Sequence, residues 1–425
     1  MQISEARKGQ LTEEVRAVAA AEGRRPEEIM RGVASGRIVI PCNPRRSIQV
    51  RGIGEGLSVK VNANVGTSLD YQNVEEEVEK AKIAVKYGAD SVMDLSTGGD
   101  LDAIRRRILE EVRLPVGTVP VYQAVIEGAR RSIGEVSSDA FFNAIRRHAA
   151  DGVDFVTVHC GVTRELVERL RKGGRILGMV SRGGGFLAAW MIERGEENPL
   201  YKEFDYLLEI AGEYELTLSL GDGFRPGCLA DASDALQLGE LLVVAELVKR
   251  AREKGIQAMV EGPGHMPMDQ IEPHIRLAKA VSDGAPLYVL GPLPTDVAAG
   301  YDHIAAAIGG ALAAMAGADF LCYVTSGEHL CLPSSEDVRE GVVAAKIAAR
   351  AADLARRIGW ERDLEMALAR KRLDWAKQIE LSVDPEKASE YRRRRPPIAD
   401  PSTCSMCSKF CVLKLVQESL AKQAS

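Results

Sequence analysis

Between residues 51 and 330 the chain alternates two patterns. Short apolar runs give way to longer stretches whose apolar positions recur at helical spacing. The runs are VKVNA (59–63), SVMDL (91–95), GTVPV (117–121), FVTVH (155–159), ILGMV (176–180), LTLSL (216–220), AMVE (258–261), LYVL (287–290) and FLCYV (320–324). VEEEVEKAKIAVKYG and LGELLVVAELVKRAREKG, which lie between them, carry the i, i+3, i+4 spacing of amphipathic helices. Strands alternating with helices predict parallel β-structure in an α/β protein. Nine runs are one more than a (β/α)8 barrel takes, so one of them is expected to be misread or to lie outside it.

The residues after the runs separate a barrel from an open, doubly wound sheet. An open sheet binds ligand at one switch point. Here a polar group follows almost every run: Asn64, Asp94, Tyr122, His159, Ser181 with Arg182, Asp222 with Arg225, Glu261 with His265, and Glu328 with His329. In a (β/α)8 TIM barrel those strand ends converge on one site, which is the expectation adopted here. Around the barrel, expected at 51–330, lie a short N-terminal helical and irregular extension (1–50), a helical region (331–391) and a flexible tail (392–425).

Composition narrows the function classes. A chain with 46% hydrophobic residues buries a large core. A net charge of −6 argues against a nucleic-acid binder, and no run reaches the length of a membrane span. The polar start MQISEARKGQ lacks the apolar core of a signal peptide, so the expected location is cytoplasmic. The RRRR run at 392–395 reads as a solvated stretch.

Of eight cysteines, Cys42, Cys160, Cys228, Cys322 and Cys331 are scattered and read as small buried hydrophobes. Cys404, Cys407 and Cys411 form C-x2-C-x3-C in PSTCSMCSKFC. Close thiolates of this kind bind an iron–sulfur cluster or, with a distant fourth ligand, zinc, and spacing alone also leaves open three cysteines that hold no metal. Three ligands on a four-iron cluster leave one iron open to S-adenosylmethionine. His265 in EGPGH and His329 in SGEH each follow a strand and a glycine, and are candidates for a second metal site or ordinary loop histidines. SRGGG (181–185) and GDGFRPG (221–227) pair glycines with an arginine, a combination that suits either a phosphate or a tight turn.

Taken together these segments resemble one family, the phosphomethylpyrimidine synthases (thiamin pyrimidine synthase, ThiC). The matching stretches include VNANVGTS (61–68), GADSVMDLSTGG (88–99), DFVTVHCGVT (154–163), LSLGDGFRPG (218–227), MVEGPGHMPM (259–268), LCYVTSGEHLCLP (321–333) and CSMCSKFC (404–411). The resemblance implies a (β/α)8 barrel that binds 5-aminoimidazole ribonucleotide and a divalent metal, usually zinc. It also implies a C-terminal [4Fe–4S] cluster that cleaves S-adenosylmethionine to a 5′-deoxyadenosyl radical. The product is 4-amino-5-hydroxymethyl-2-methylpyrimidine phosphate, with formate and carbon monoxide lost. It further implies a homodimer whose cluster segment can serve the partner's barrel, and an electron donor such as ferredoxin or flavodoxin.

Carried over by position, the substrate contacts are Asn64, Met93, Tyr122, His159, Ser181, Arg182, Gly183, Asp222, Gly223, Phe224, Arg225, Glu261 and Tyr288. Glu261 is also a catalytic candidate. The metal ligands are His265 and His329, and the cluster ligands are Cys404, Cys407 and Cys411. The chain departs from the family pattern at Gly185, where Ser is expected, and at Ser408, where Gly is usual. Such departures keep open a paralogous outcome, 5-hydroxybenzimidazole synthesis for cobamides from the same ribonucleotide.

Overall fold

The computed structural model describes residues 1–424. It divides into two compact units, Met1–Arg356 and Arg357–Ser425. In the first, eight parallel strands close a barrel in chain order: β1 Lys60–Val65, β2 Ser91–Asp94, β3 Val116–Thr118, β4 Phe155–Val158, β5 Thr217–Leu220, β6 Ala258–Gly262, β7 Leu287–Leu290 and β8 Phe320–Cys322. β8 returns to β1, with Leu321 opposite Val61 on one side and Val289 on the other. The eighth helix of the barrel, Ser335–Ala355, packs on β1 and β8, so this unit runs to Arg356 and past the boundary at 330 that the strand runs suggested.

The surplus ninth run is ILGMV. It forms no strand and lies in the long β4–β5 connection, with Ile176 72% and Leu177 50% exposed. Gly173, Gly174 and Gly178, all at positive φ, break the extended backbone around it. The N–H groups of Ile176 and Leu177 are donated to the Asp231 carboxylate instead of to a neighbouring strand. GTVPV is a strand only to Thr118, because Pro120 opens the helix Pro120–Gly128 from its first turn.

Inside the barrel, Phe155, Tyr288 and Phe320 form an aromatic plug, with ring centroids 6.3 Å apart for Phe155–Phe320 and 4.4 Å for Tyr288–Phe320. The plug requires Gly117 on β3. A Cβ there would lie 2.3 Å from the Phe155 ring. The rings fill the barrel interior, and the cavity lies toward the C-terminal ends of the strands.

The N-terminal segment builds a small core of its own from residues including Ile3, Val15, Val18, Ile29, Val33 and Ile40. It is tied to the barrel through Asp154, just before β4. That buried carboxylate accepts the N–H of Asn43 at 2.9 Å and of Val116 at 2.8 Å, and pairs with Arg46. The second unit contains the helices Glu361–Lys371, Trp375–Glu380, Pro385–Arg394 and Val412–Ala424. Among the described residues no helix is long and apolar enough to cross a membrane.

Because Asp154→Ala removes the counter-charge of the buried Arg46 guanidinium and the acceptor of two buried N–H groups, it should cost about 3–5 kcal/mol. Urea unfolding followed by circular dichroism measures this.

Candidate functional site

The C-terminal ends of the strands open on a cavity of about 500 Å³, open mouth included. Asn64, Met93, Tyr122, His159, Asp222, Arg225, Glu261 and Tyr288 all line it. These eight sequence candidates come from seven strand ends or the turns just beyond them. A wider vestibule above is lined by Arg182, Arg225, His329 and Cys331 among others. Cys331 is thus exposed, against the expectation of a buried small hydrophobe, as it sits in the loop beyond β8; Cys160 and Cys322 are buried as expected, and Cys42 and Cys228 only partly.

Glu261, at the end of β6, accepts the hydroxyls of Thr157 and Ser219 on the same oxygen, Oε1, each at 2.7 Å. Burial raises its pKa above the ordinary carboxylate range, and these hydroxyls pull the other way. Asp222 is raised well above its ordinary value by burial, against the opposing charge of Arg225, whose Nη1 lies 3.1 Å from Asp222 Oδ1. His159 is held between Gly183 and Gly221, where a Cβ would come within 2.3 Å and 2.9 Å of its ring. Burial, with a smaller push from the Arg225 charge, brings the His159 pKa down to about 3. Its buried Nδ1 has no protein partner.

On the opposite wall, Asn62 donates to Tyr288 Oη at 2.8 Å and to Asn64 Oδ1 at 2.8 Å, and Asn64 donates to Cys322 Sγ at 3.1 Å. Burial lifts the Cys322 thiol to about 12, so it stays protonated. Asn62, Thr157, Ser219 and Cys322 were not among the sequence candidates. The alternation of β-strand side chains, which puts Asn62 on the face of Asn64 and Thr157 on that of His159, was the available signal.

The two Gly-rich segments meet, but differently from expectation. Ser181 does not follow a strand; it caps the helix Arg182–Arg194, its Oγ accepting the Gly184 N–H. Gly184 then packs directly on Gly223, where its Cβ would be 2.4 Å from the Gly223 Cα. The N–H groups of Gly223 and Phe224 face no ligand, because they are donated to Glu240 Oε1 and Oε2 at 2.8 and 2.7 Å. Phe224 is wholly buried, with the Arg175 guanidinium 5.8 Å from its ring centroid, and lies outside the cavity lining. The cations left facing the opening are Arg225 and Arg182, the latter 5.2 Å from the Tyr122 ring centroid.

His265 and His329 come together from the loops after β6 and β8, with their Nε2 atoms 3.3 Å apart. Two nitrogens each ~2.0–2.1 Å from one tetrahedral zinc would stand about 3.3 Å apart, so the pair fits a shared metal. Nδ1 of His265 lies 2.7 Å from Asp296 and Nδ1 of His329 3.1 Å from Asp302, the carboxylate backing that orients metal-binding imidazoles. Gly264 is needed for this approach, since a Cβ there would be 2.9 Å from the Pro226 carbonyl oxygen. Among the described residues no three His, Cys, Asp or Glu side chains close on one metal position.

In the second unit, the Cys404 sulfur accepts backbone N–H groups of Cys407 and Met406, which lower its pKa against the effect of burial. The thiols of Cys404 and Cys407 are within hydrogen-bonding reach, and Cys411 is close enough to be felt by Cys407. Ser408 has φ 48°, a left-handed conformation that explains why glycine suits this position.

His159 should stay neutral throughout the working range. Its nitrogen chemical shifts should not titrate between pH 8 and 5, and an inflection near 6.5 would show a hydrated ring. The unfolded chain takes up a proton below 6.5 that the folded ring refuses. The contribution of this group to stability is therefore present above 6.5 and lost as the pH falls toward about 3.

Comparison with known proteins extends over the whole chain. A sequence model described as the radical SAM ThiC family matches residues 1–418. A protein of Archaeoglobus fulgidus named phosphomethylpyrimidine synthase is 57% identical over 425 residues, covering 99% of each chain. A protein of Pyrococcus furiosus with the same name is 56% identical over 427 residues, covering 100% of this chain and 99% of its own. Likeness to solved structures is weak: a dihydropteroate synthase of Xanthomonas albilineans aligns with 73% of this chain and 97% of its own at a TM-score of 0.42 and 13% identity. Matched from end to end by a family model and by relatives with more than half their residues identical, the chain belongs to the radical SAM ThiC family.

Proposed function

We infer that this chain is a radical S-adenosylmethionine lyase that rearranges 5-aminoimidazole ribonucleotide into 4-amino-5-hydroxymethyl-2-methylpyrimidine phosphate for thiamin. The observation that carries this reading is the end-to-end similarity to relatives named phosphomethylpyrimidine synthase. Those names favour the thiamin pyrimidine over 5-hydroxybenzimidazole. Cys404, Cys407 and Cys411 would hold the [4Fe–4S] cluster, and the N–H bonds to the Cys404 sulfur favour the thiolate that ligation needs. His265 and His329 would hold zinc or another divalent cation. Bound there, the cluster supplies the electron that cleaves S-adenosylmethionine, and the cation supplies a Lewis acid.

The chain's own residues bind, orient and exclude water. A ribonucleotide fits with its phosphate toward the vestibule, near Arg182, Arg225 and the start of the helix Arg182–Arg194. That helix offers no acceptor to the N–H groups of Arg182 and Gly183, so both suit an anion. Asn64, Tyr288 and His159 would meet the polar edges of the imidazole and ribose, His159 as a neutral ring with Nδ1 available. Glu261, fixed by Thr157 and Ser219, holds or gives up a proton within reach of the substrate, its raised pKa suited to both. Met93 and the aromatic plug close the floor against water. A ferredoxin or flavodoxin as electron donor, a homodimer and a cytoplasmic location complete this reading.

Anaerobic incubation of the reconstituted protein with the ribonucleotide, S-adenosylmethionine and dithionite should give the phosphorylated pyrimidine, 5′-deoxyadenosine, formate and carbon monoxide, detected by mass spectrometry and gas analysis. Cys404→Ala, Cys407→Ala and Cys411→Ala should each abolish 5′-deoxyadenosine. Formation of 5-hydroxybenzimidazole in place of the pyrimidine would reverse the assignment of product.

Phosphate recognition is tested separately. A charged hydrogen bond is worth roughly 1.5–3 kcal/mol. At least one of Arg182→Ala and Arg225→Ala should therefore raise the ribonucleotide Kd about ten- to hundredfold by isothermal titration. Parent-like binding by both variants would move the phosphate elsewhere.

A further inference from the structure

We propose that Arg392 and Trp375 form a clamp that positions the backbone entering the first cluster cysteine, Cys404. The proposal rests on the reading of Cys404, Cys407 and Cys411 as cluster ligands. Arg392 is the first residue of the RRRR run, which by sequence is a solvated stretch with no task. Its guanidinium lies 3.9 Å from the centroid of the Trp375 ring. From that stacked position Nη1 donates to the Thr403 carbonyl at 2.7 Å and Nη2 to the Pro401 carbonyl at 3.3 Å. The carbonyl between them, Ser402, accepts the Trp375 indole N–H at 2.9 Å. Three consecutive carbonyls immediately before Cys404 are thus held by one stacked pair.

The same segment is braced from its other side. Thr403, fully buried, closes a turn by donating its N–H to the Asp400 carbonyl at 3.1 Å, and Lys414 donates to Asp400 Oδ2 at 2.7 Å. Lys414 lies on the helix that follows Cys411, so both ends of the cysteine loop share this base. Arg393 and Arg394 are exposed, and Arg394 turns to its own helix, 3.6 Å from Glu390 and 4.8 Å from the Tyr391 ring centroid. The task therefore belongs to one arginine of the run and not to its total charge. It also calls for arginine in particular. A planar fork can stack on an indole and serve two carbonyls at once, whereas an ammonium cannot. A cluster bound by three sulfurs gains no fourth protein ligand to correct a displaced one, so the position of Cys404 has to be set by the backbone that carries it.

The experiment uses the full chain, reconstituted anaerobically with iron and sulfide, as parent, Arg392→Ala, Arg392→Lys, Trp375→Phe and Arg393→Ala. Iron and sulfide per chain, the rate of cluster loss to an excess chelator and the EPR spectrum of the reduced cluster are measured, with circular dichroism as the check on folding. Arg392→Ala should lose its cluster about tenfold faster than the parent or more, as expected for a lost charged hydrogen bond, and should show a broadened EPR signal. Arg392→Lys should recover only part of the difference. Trp375→Phe keeps a ring face and removes the indole N–H, and should fall between parent and Arg392→Ala. Arg393→Ala should match the parent. Should Arg392→Ala fail to fold, Arg392→Lys and Trp375→Phe carry the test. A cluster in Arg392→Ala or, in that case, in both other clamp variants that is as long-lived and spectroscopically the same as the parent's would overturn the clamp. So would equal damage from Arg393→Ala, which would make net charge the cause. A parent that takes up no cluster would instead overturn the reading on which the clamp rests.

Discussion

Closure of the sheet between Lys60–Val65 and Phe320–Cys322 is the constraint on which the rest of the first unit depends. Those strands are some 260 residues apart in sequence, and nothing local brings them together. Once they pair, each strand has two neighbours and no edge, and its alternate side chains point either to the helices or into a space that eight strands enclose and side chains fill. Filling that space with Phe155, Tyr288 and Phe320 leaves room only at the C-terminal rim. Polar side chains that would be costly in a packed core become affordable there, since they face a cavity and one another.

The cavity is nonetheless dry enough to move the acids and bases in it. Burial raises Glu261 and Asp222 against smaller opposing hydrogen bonds and charges, and it lowers His159 in the same direction as the Arg225 charge. The same desolvation strengthens each electrostatic interaction made inside the cavity. Rigidity comes from the hydrogen-bond partners of the lining residues. Glu240 ties down the loop between Asp222 and Arg225, Thr157 and Ser219 hold Glu261, and Asp296 and Asp302 orient the two histidines. A carboxylate spent on two backbone N–H groups, as Glu240 is, makes a loop rich in glycine behave as a fixed support.

The second unit solves a different problem with fewer resources. It buries few apolar side chains, and its cysteine loop has almost no regular structure. Its order comes from hydrogen bonds to consecutive backbone carbonyls and from N–H groups directed at a sulfur. Ser408 accepts a left-handed backbone within this loop, a cost of about 1 kcal/mol that glycine would avoid.

The sequence by itself determined the architecture and most of the candidate site, because both depend on local patterns. Apolar runs alternating with amphipathic helices are legible from spacing, as is a polar residue placed after almost every run. Asn64, His159, Arg225 and Glu261 were therefore identifiable before any contact was known. What local patterns could not decide was which apolar run was surplus, since ILGMV has the apolar composition of a strand and only the folded chain shows its backbone broken at Gly178 and its N–H groups turned to Asp231. They could not show that Gly223 and Phe224 spend their N–H groups on Glu240, or that Arg392 is bound while Arg393 is solvated. They also could not bring His265 within 3.3 Å of His329 across 64 residues. Each of these depends on a partner distant in the chain, and only the closed tertiary structure sets such distances.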